Sequence, residues 1–320
     1  MLSYASLLGG IFLAWCIGAN NSANIFGTAV GTRSIRFGTA VILIAIFAVI
    51  GAMAEGPSLY DAYSFSGDVT PRLAFAATAA AAATMLVVTY FSLPASASQA
   101  AVGGMMGIAV WSCGVAGAEW AKLGGWAFCW AVTPVSSAVL AYAGVRGLKP
   151  LISGVTDMGM LSRIYKIGFV ISGCYGAYTL GANNVVVTTG PHFKAGLFGD
   201  PSGPDGAFVA AVIGGAGVAL GALTYSRRVM RTIGGRITAL DPFSALVAVL
   251  SHSAILHVFT LLQIPVSSAQ AIVGAVAGVG LSKGSRALNS RLLAAVLSGW
   301  LLVTAASGVL ALLLAWLLCR

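Results

Sequence analysis

Apolar residues run along this chain in stretches of about twenty, and the segments between them hold most of its charge. A helix of about twenty apolar residues spans the hydrocarbon of a bilayer. Cut at the turn and charge signals, the pattern predicts ten such helices, approximately residues 3 to 29, 37 to 55, 72 to 92, 94 to 112, 124 to 145, 167 to 190, 206 to 226, 243 to 263, 265 to 281 and 292 to 318. The fourth and ninth are short and begin at Pro94 and Pro265, so each reads either as a crossing or as a re-entrant segment. The first and sixth carry a polar cluster in the middle, in GANNSANIFGTAVG from Gly18 to Gly31 and in GANNVVVTTGP from Gly181 to Pro191. Paired asparagines beside glycine at this depth predict a helix broken there, lining a binding cavity, because irregular backbone in hydrocarbon is tolerated only inside protein or along a cavity.

The same segments repeat. Pro94 to Gly107, PASASQAAVGGMMG, aligns without gaps with Pro265 to Gly278, PVSSAQAIVGAVAG, and half of the fourteen positions are identical. The asparagine motifs precede these in the same order, at an offset of 163 residues against 171. The chain therefore reads as a duplication, with a first membrane repeat over 1–146, a cytoplasmic linker over 147–166 and a second repeat over 167–320. Five spans per half is an odd number, so the second half must enter from the opposite side of the membrane. The predicted fold class is an all-α polytopic membrane protein, with about ten transmembrane segments in two inverted repeats of five with broken or re-entrant helices.

Composition and charge narrow the picture. With 58% hydrophobic and 8% charged residues and a mean hydropathy of +0.94, the chain lies outside the range of soluble domains. With the N-terminus outside, 13 of the 17 basic residues fall inside and only Arg72, Lys122, Lys194 and Arg320 fall outside. Basic residues favour the cytoplasmic loops, so both termini are expected on the extracytoplasmic side of a cell membrane. Glu55, Asp61, Asp68, Glu119, Asp200 and Asp205 fall outside. The net charge of +9 is then a topology signal and calls for no nucleic acid. No basic residue precedes the first apolar run, which argues against a cleaved leader. The five cysteines, odd in number and without zinc-type spacing, read as small apolar residues. Neither a nucleophile with its base nor an HExxH pattern appears, so neither an enzyme nor a cofactor is expected.

The polar residues make an anion site. A helix restarting at Pro94 or Pro265 loses a donor that had no partner anyway and points its remaining free amides at whatever precedes it. Ser96, Ser98, Ser267 and Ser268 add hydroxyl donors, and Asn20, Asn21, Asn183 and Asn184 add amides from the first and sixth spans. Ser22 and Thr188 extend the set, while Asn24, Thr28 and Thr189 are ion-coupling candidates. The competing role for such small polar residues is interhelical hydrogen bonding. His252 and His257 are candidates for proton coupling, because an ionisable residue at membrane depth is functional by default. Five residues apart, they point in directions about 140° apart on a helix and do not form one site. Neither has a counterpart in the third span. Glu55 and Asp241, at span ends, are placed at the water interface.

These motifs resemble a family. GANNSANIFGTAVG is similar to the GANDVANAFGT signature of the inorganic phosphate transporter (PiT) family, which includes sulfate-permease-like members, and LQIPVSSAQAIVGAVAGVGL is similar to its IPVSTTHAIVGA segment. Both occur twice, in the family's order, and TIGGRITALDPF is similar as well. The resemblance implies a secondary transporter, a homodimer, moving a tetrahedral oxyanion with Na+ or H+ through a midplane site between the repeats. Asn21 and Asn184 stand where the family has aspartate, Gln99 and Gln270 where it has histidine, and Val186 and Val187 where it has alanine and asparagine. Gln99 and Gln270 thereby join the substrate-binding set. Hydrogen phosphate keeps a proton to donate and gains from a carboxylate, whereas sulfate is best held by donors alone. The family points to cation-coupled phosphate symport, and the two asparagines point to a sulfate permease as the alternative. An anion channel has no need of symmetric broken spans.

Overall fold

The computed structural model describes residues 2–60, 63, 67–91, 96–199, 204–236, 240–284 and 290–319, with backbone alone at 2, 3, 204, 232–236 and 290–298. Pro94, Asp61, Asp200 and Arg320 lie outside the described residues. Ten long helices follow in order: α1 (Leu7–Gly31), α2 (Phe37–Ala54), α3 (Pro71–Tyr90), α4 (Ala97–Gly117), α5 (Trp120–Ser153), α6 (Met158–Lys194), α7 (Pro204–Arg236), α8 (Pro242–Leu261), α9 (Ser268–Ser282) and α10 (Ser290–Leu318). Seven of them, α2 to α5, α7, α8 and α10, are long and apolar enough to cross a membrane. In α1 and α6 the asparagine clusters lower the hydropathy, and α9 is only 15 residues long. Ile42, Phe128, Val139, Leu302 and Leu313 stand exposed on α2, α5 and α10, the surface a lipid-facing helix presents.

Helix starts have local causes. Thr70 and Asp241 accept the backbone N–H of Leu73 and Ser244, and Pro71 and Pro242 occupy the first turn, where a missing N–H has no consequence. Gly114, at φ 71°, interrupts α4 near its end in a conformation that suits a residue without Cβ. The stretch 147–166 is helical for most of its length, since α5 continues to Ser153 and α6 begins at Met158.

The expected breaks in the first and sixth spans are absent. α1 and α6 run unbroken through their asparagine motifs. Their ladders stay intact because the asparagine side chains, not freed backbone groups, make the polar contacts. The helical chain instead ends at Tyr90 and resumes at Ala97, and ends at Leu261 and resumes at Ser268. There the helices restart later than the prolines: α9 begins at Ser268, with Pro265 in non-helical chain before it, and α4 begins at Ala97.

Glycines let the helices approach at backbone distance. A Cβ on Gly18 would lie 1.9 Å from Val218 O, and one on Gly221 would lie 2.0 Å from Trp15 O, so α1 and α7 meet face to face. The same contact joins α6 and α2, at Gly181 with Ala48 O and Gly51 with Tyr178 O. Gly103 and Gly107 of α4 meet Thr304 and Gly308 of α10, and Gly274 and Gly278 of α9 meet Pro134 and Ala138 of α5. Every one of these contacts pairs a helix of the first half of the chain with one of the second. The halves form one core. Gly18→Val is therefore expected to abolish folding, since overpacking at backbone contact has no side chain to yield, whereas Gly38→Val, with nothing within 4 Å, is tolerated. Detergent size-exclusion profiles of the two variants check this.

α3 and α4 form a helical hairpin, with Gly104 against Ala77 O. α3 runs alongside α1, pairing Thr78 with Gly9, Ala82 with Cys16 and Thr89 with Asn20. The C-terminal end of α3 thus lies level with Asn20, and α1 continues to Gly31, about 16 Å farther at 1.5 Å per residue. α8 and α9 make the second hairpin, whose turn is level with Asn183 while α6 continues to Lys194. A salt bridge from Lys283 to Asp241 closes its base. Partial desolvation pushes the Asp241 carboxyl up, but hydrogen bonds from Lys283 and Ser244 outweigh it and hold the group below its usual range.

Candidate functional site at the hairpin tips

The two tips are built alike. Ser96 and Ser267 adopt extended φ, ψ of −94°, 100° and −89°, 114°, and their hydroxyls accept the backbone N–H of Gln99 (3.3 Å) and Gln270 (3.2 Å). With its oxygen so engaged, each serine still has its own O–H to donate. Behind the tips, Asn20 Nδ2 donates to Thr89 Oγ1 and Asn183 Nδ2 to Thr260 Oγ1, both at 3.0 Å. Asn183 also donates to Ile264 O (3.1 Å) and accepts from Val266 N (3.0 Å). Its amide hydrogens are both committed, so Asn183 holds the second tip in place.

The second tip is tied to α1 and α8, and one glutamine of each tip opens on a shared crevice. Asn24 of α1 donates to Ser268 Oγ at 3.2 Å and contacts Asn21 Oδ1 at 3.5 Å, and His252 Nε2 lies 2.9 Å from the same Ser268 oxygen. Ser98 Oγ is 3.4 Å from Ser96 Oγ. Gln99 and Gln270 line one crevice of about 850 Å³ between the α4/α10 and α5/α9 pairs, together with Trp130 and Trp300. The Oε1 atoms of both glutamines and the indole nitrogens of both tryptophans are buried there without hydrogen-bond partners. Asn20, Asn21, Asn24, Ser96, Ser98, Gln99, Asn183, His252, Ser267, Ser268 and Gln270 are all buried. None of these groups is a carboxylate; the serine hydroxyls and the unpartnered indole N–H groups are donors and the unpartnered glutamine oxygens are acceptors, a mixed set that can hold an oxyanion that keeps a proton.

Other candidates face elsewhere. Ser22 bonds to Gly18 O of its own helix and Asn184 to Leu180 O. Thr188 bonds to Val185 O and faces Gly214 of α7, while Thr189 bonds to Ala210 O and Tyr60. Five residues from Asn183, Thr188 is turned about 140° from it on the helix. Thr28 is half-buried two turns beyond Asn20, its hydroxyl without a partner. His257 joins a separate cluster at the end of α2, where its Nε2 is 3.1 Å from Glu55 Oε1, its Nδ1 is 2.8 Å from Tyr175 OH, and Tyr178 OH donates to the same Glu55 oxygen. Sequence reasoning passed over Thr89 and Thr260, although they share the 171-residue offset of the two serine motifs. Extending that alignment seven residues upstream of the serines finds them.

The profile of the phosphate transporter family matches this chain in two stretches, residues 17–157 and 153–311. A Pyrococcus furiosus protein provisionally named a phosphate permease is 25% identical over 387 residues, covering 96% of this chain and 93% of its own. One of the same provisional name from Methanocaldococcus jannaschii is 28% identical over 296 residues, covering 92% and 90%. The chloroplastic inorganic phosphate transporter 2-1 of Arabidopsis thaliana is 23% identical over 423 residues, covering 99% and 72%. A solved structure, the sodium-dependent phosphate transporter, superposes with a TM-score of 0.90 at 22% identity, covering 99% of this chain and 98% of its own. That likeness establishes a shared fold.

Proposed function

The chain belongs to the phosphate transporter family, and from that premise we propose that it is a secondary active transporter that carries inorganic phosphate with a cation through the site between the two hairpin tips. The observation that carries this reading is the matched pair of clamps, Asn20 to Thr89 and Asn183 to Thr260, each on the helix that precedes a serine-capped helix start. The hairpins act as re-entrant gates from opposite sides, related by an inverted repeat with its axis in the membrane plane. Two gates on one central site allow alternating access. Na+ or H+ is the coupling ion, and the name of the sodium-dependent phosphate transporter with the same fold favours Na+.

A sulfate load is the second reading. It is favoured by Asn21 and Asn184, which put amides where the motif has carboxylates and so add donors for a fully deprotonated anion. Uptake of labelled phosphate and sulfate into proteoliposomes, with sodium and proton gradients imposed separately, tests both. The expected result is saturable, gradient-driven phosphate uptake. Uptake that ignores both gradients would contradict coupled transport.

The orientation, with both termini extracytoplasmic, has its own test. In a background without native cysteines, Ser58→Cys, exposed after α2, is expected to react with an impermeant reagent outside intact cells, and Ser34→Cys, between α1 and α2, to be shielded. Labelling of Ser34→Cys but not Ser58→Cys would reverse the orientation.

A further inference from the structure

The two halves of the site differ at one set of contacts. Asn24, Ser268 and His252 form a polar chain from α1 through the start of α9 to α8. At the offsets of the repeat their counterparts are Val187, Ala97 and Ala81, all buried and all apolar. The polar chain exists on one side only. Two of its atoms, Asn24 Oδ1 and His252 Nδ1, are buried without hydrogen-bond partners.

We propose that His252 is the proton-binding residue of this transporter and acts by setting the direction of the Ser268 hydroxyl. This rests on the reading of the tips as the anion site. Ser268 Oγ already accepts from Asn24. In the neutral tautomer that carries its proton on Nδ1, His252 Nε2 can only accept, and it takes the Ser268 O–H. When a proton from water adds to the Nε2 lone pair, the imidazole donates to Ser268 Oγ instead, and the serine hydrogen turns to the tip. Ser268 is the first residue of α9, where unpaired backbone amides already favour an anion. Proton and anion then assist each other's binding, and by linkage the assistance is reciprocal.

The surroundings leave His252 as the group that titrates at the tip. Four helices pack on α8, namely α1, α6, α5 and α9. Neither α1 nor α9 carries an acid, a basic residue or a tyrosine. On α6, Tyr175 is bonded to His257 and Tyr178 to Glu55, Cys174 carries no disulfide, and His192 is bonded to Thr78 of α3. On α5, Cys129 packs beside Leu256 and Phe259, and Arg146 stacks over Tyr142. Lys122, Lys149, Arg163, Lys166 and Lys194 stand near the ends of α5 and α6.

The test is binding of inorganic phosphate to the purified protein by calorimetry between about pH 4 and about pH 8, a span that reaches below the range over which an exposed histidine titrates because His252 is fully buried. His252→Gln supplies an amide that donates to Ser268 without titrating. It is expected to bind phosphate on the order of tenfold tighter than the wild type at the high end and to match it at the low end, leaving only the pH dependence of phosphate itself. Ser268→Ala is expected to flatten the profile at the weak level. Superimposable profiles for the wild type and His252→Gln overturn the proposal, and if that variant does not fold, an unchanged profile for Ser268→Ala does so. A wild type that binds no phosphate at any pH overturns the phosphate reading of the tips, a distinct failure that takes this inference with it.

Discussion

Asn183→Ala is expected to reduce phosphate uptake to background while the protein still folds. Asn183 makes three hydrogen bonds to the second hairpin, to Thr260, Ile264 and Val266, and all are near 3 Å. Alanine leaves the Val266 N–H and the Ile264 carbonyl without this partner, at about 1–3 kcal/mol each, while Thr260 keeps its bond to Leu256 O. The tip can recover that loss only by moving away from α6, and movement displaces Ser267 and Gln270 together. The glycine contacts of α9 on α5 lie farther along the helix, at Gly274 and Gly278, and are left intact. Uptake should therefore vanish with only a modest fall in melting temperature. Near-normal uptake by Asn183→Ala would remove the clamp from the account.

Asn21→Asp is expected to raise the preference for phosphate over sulfate by orders of magnitude. Asn21 is buried, and its Oδ1 lies 3.5 Å from Asn24 Nδ2, one residue from the Ser268 end of the site. A carboxylate there has no cation to pair with among the described neighbours. Two unit charges about 4 Å apart repel by about 4 kcal/mol at an effective dielectric near 20. Sulfate meets that repulsion in full, whereas hydrogen phosphate donates its proton to the new acceptor and offsets part of it. Asn184→Asp should do less, because the Asn184 amide is turned back onto Leu180 O of its own helix. Competition of sulfate against labelled phosphate gives the ratio directly. An unchanged ratio in a folded, active Asn21→Asp protein would place that side chain away from the anion.

Much of this was legible before the structure. Apolar runs ended by charge found a helix at each of the ten places, because length and hydropathy leave few other options for a chain this apolar, but they cut α5 short of Ser153, started α6 after Met158 and ended α7 before Arg236, since hydropathy marks where the apolar stretch stops and not where the helix does. The asparagine motifs misled in one respect. A polar cluster in an apolar run shows that something polar must be satisfied, but not whether backbone or side chain is involved. Here the neighbouring hairpin brings Thr89 and Thr260 to the asparagines, and the helix has no reason to open. Thr188 and Thr189 were grouped with the site because they are close in sequence, although the angle between successive residues on a helix already turned them from Asn183. The chain from Asn24 through Ser268 to His252 joins residues far apart in sequence, and only the fold brings them into contact. Its absence from the other half was nonetheless written in Ala81, Ala97 and Val187.

The central claim is that the anion lies between the hairpin tips. Arsenate, a tetrahedral analogue of phosphate with a strong anomalous signal, allows a direct look. A crystal of the protein grown with arsenate is expected to show one anomalous peak between the starts of α4 and α9, within hydrogen-bonding distance of Ser98 or Ser268 and of Gln99 or Gln270. A peak at another place in the protein, with none between the tips, would contradict the account.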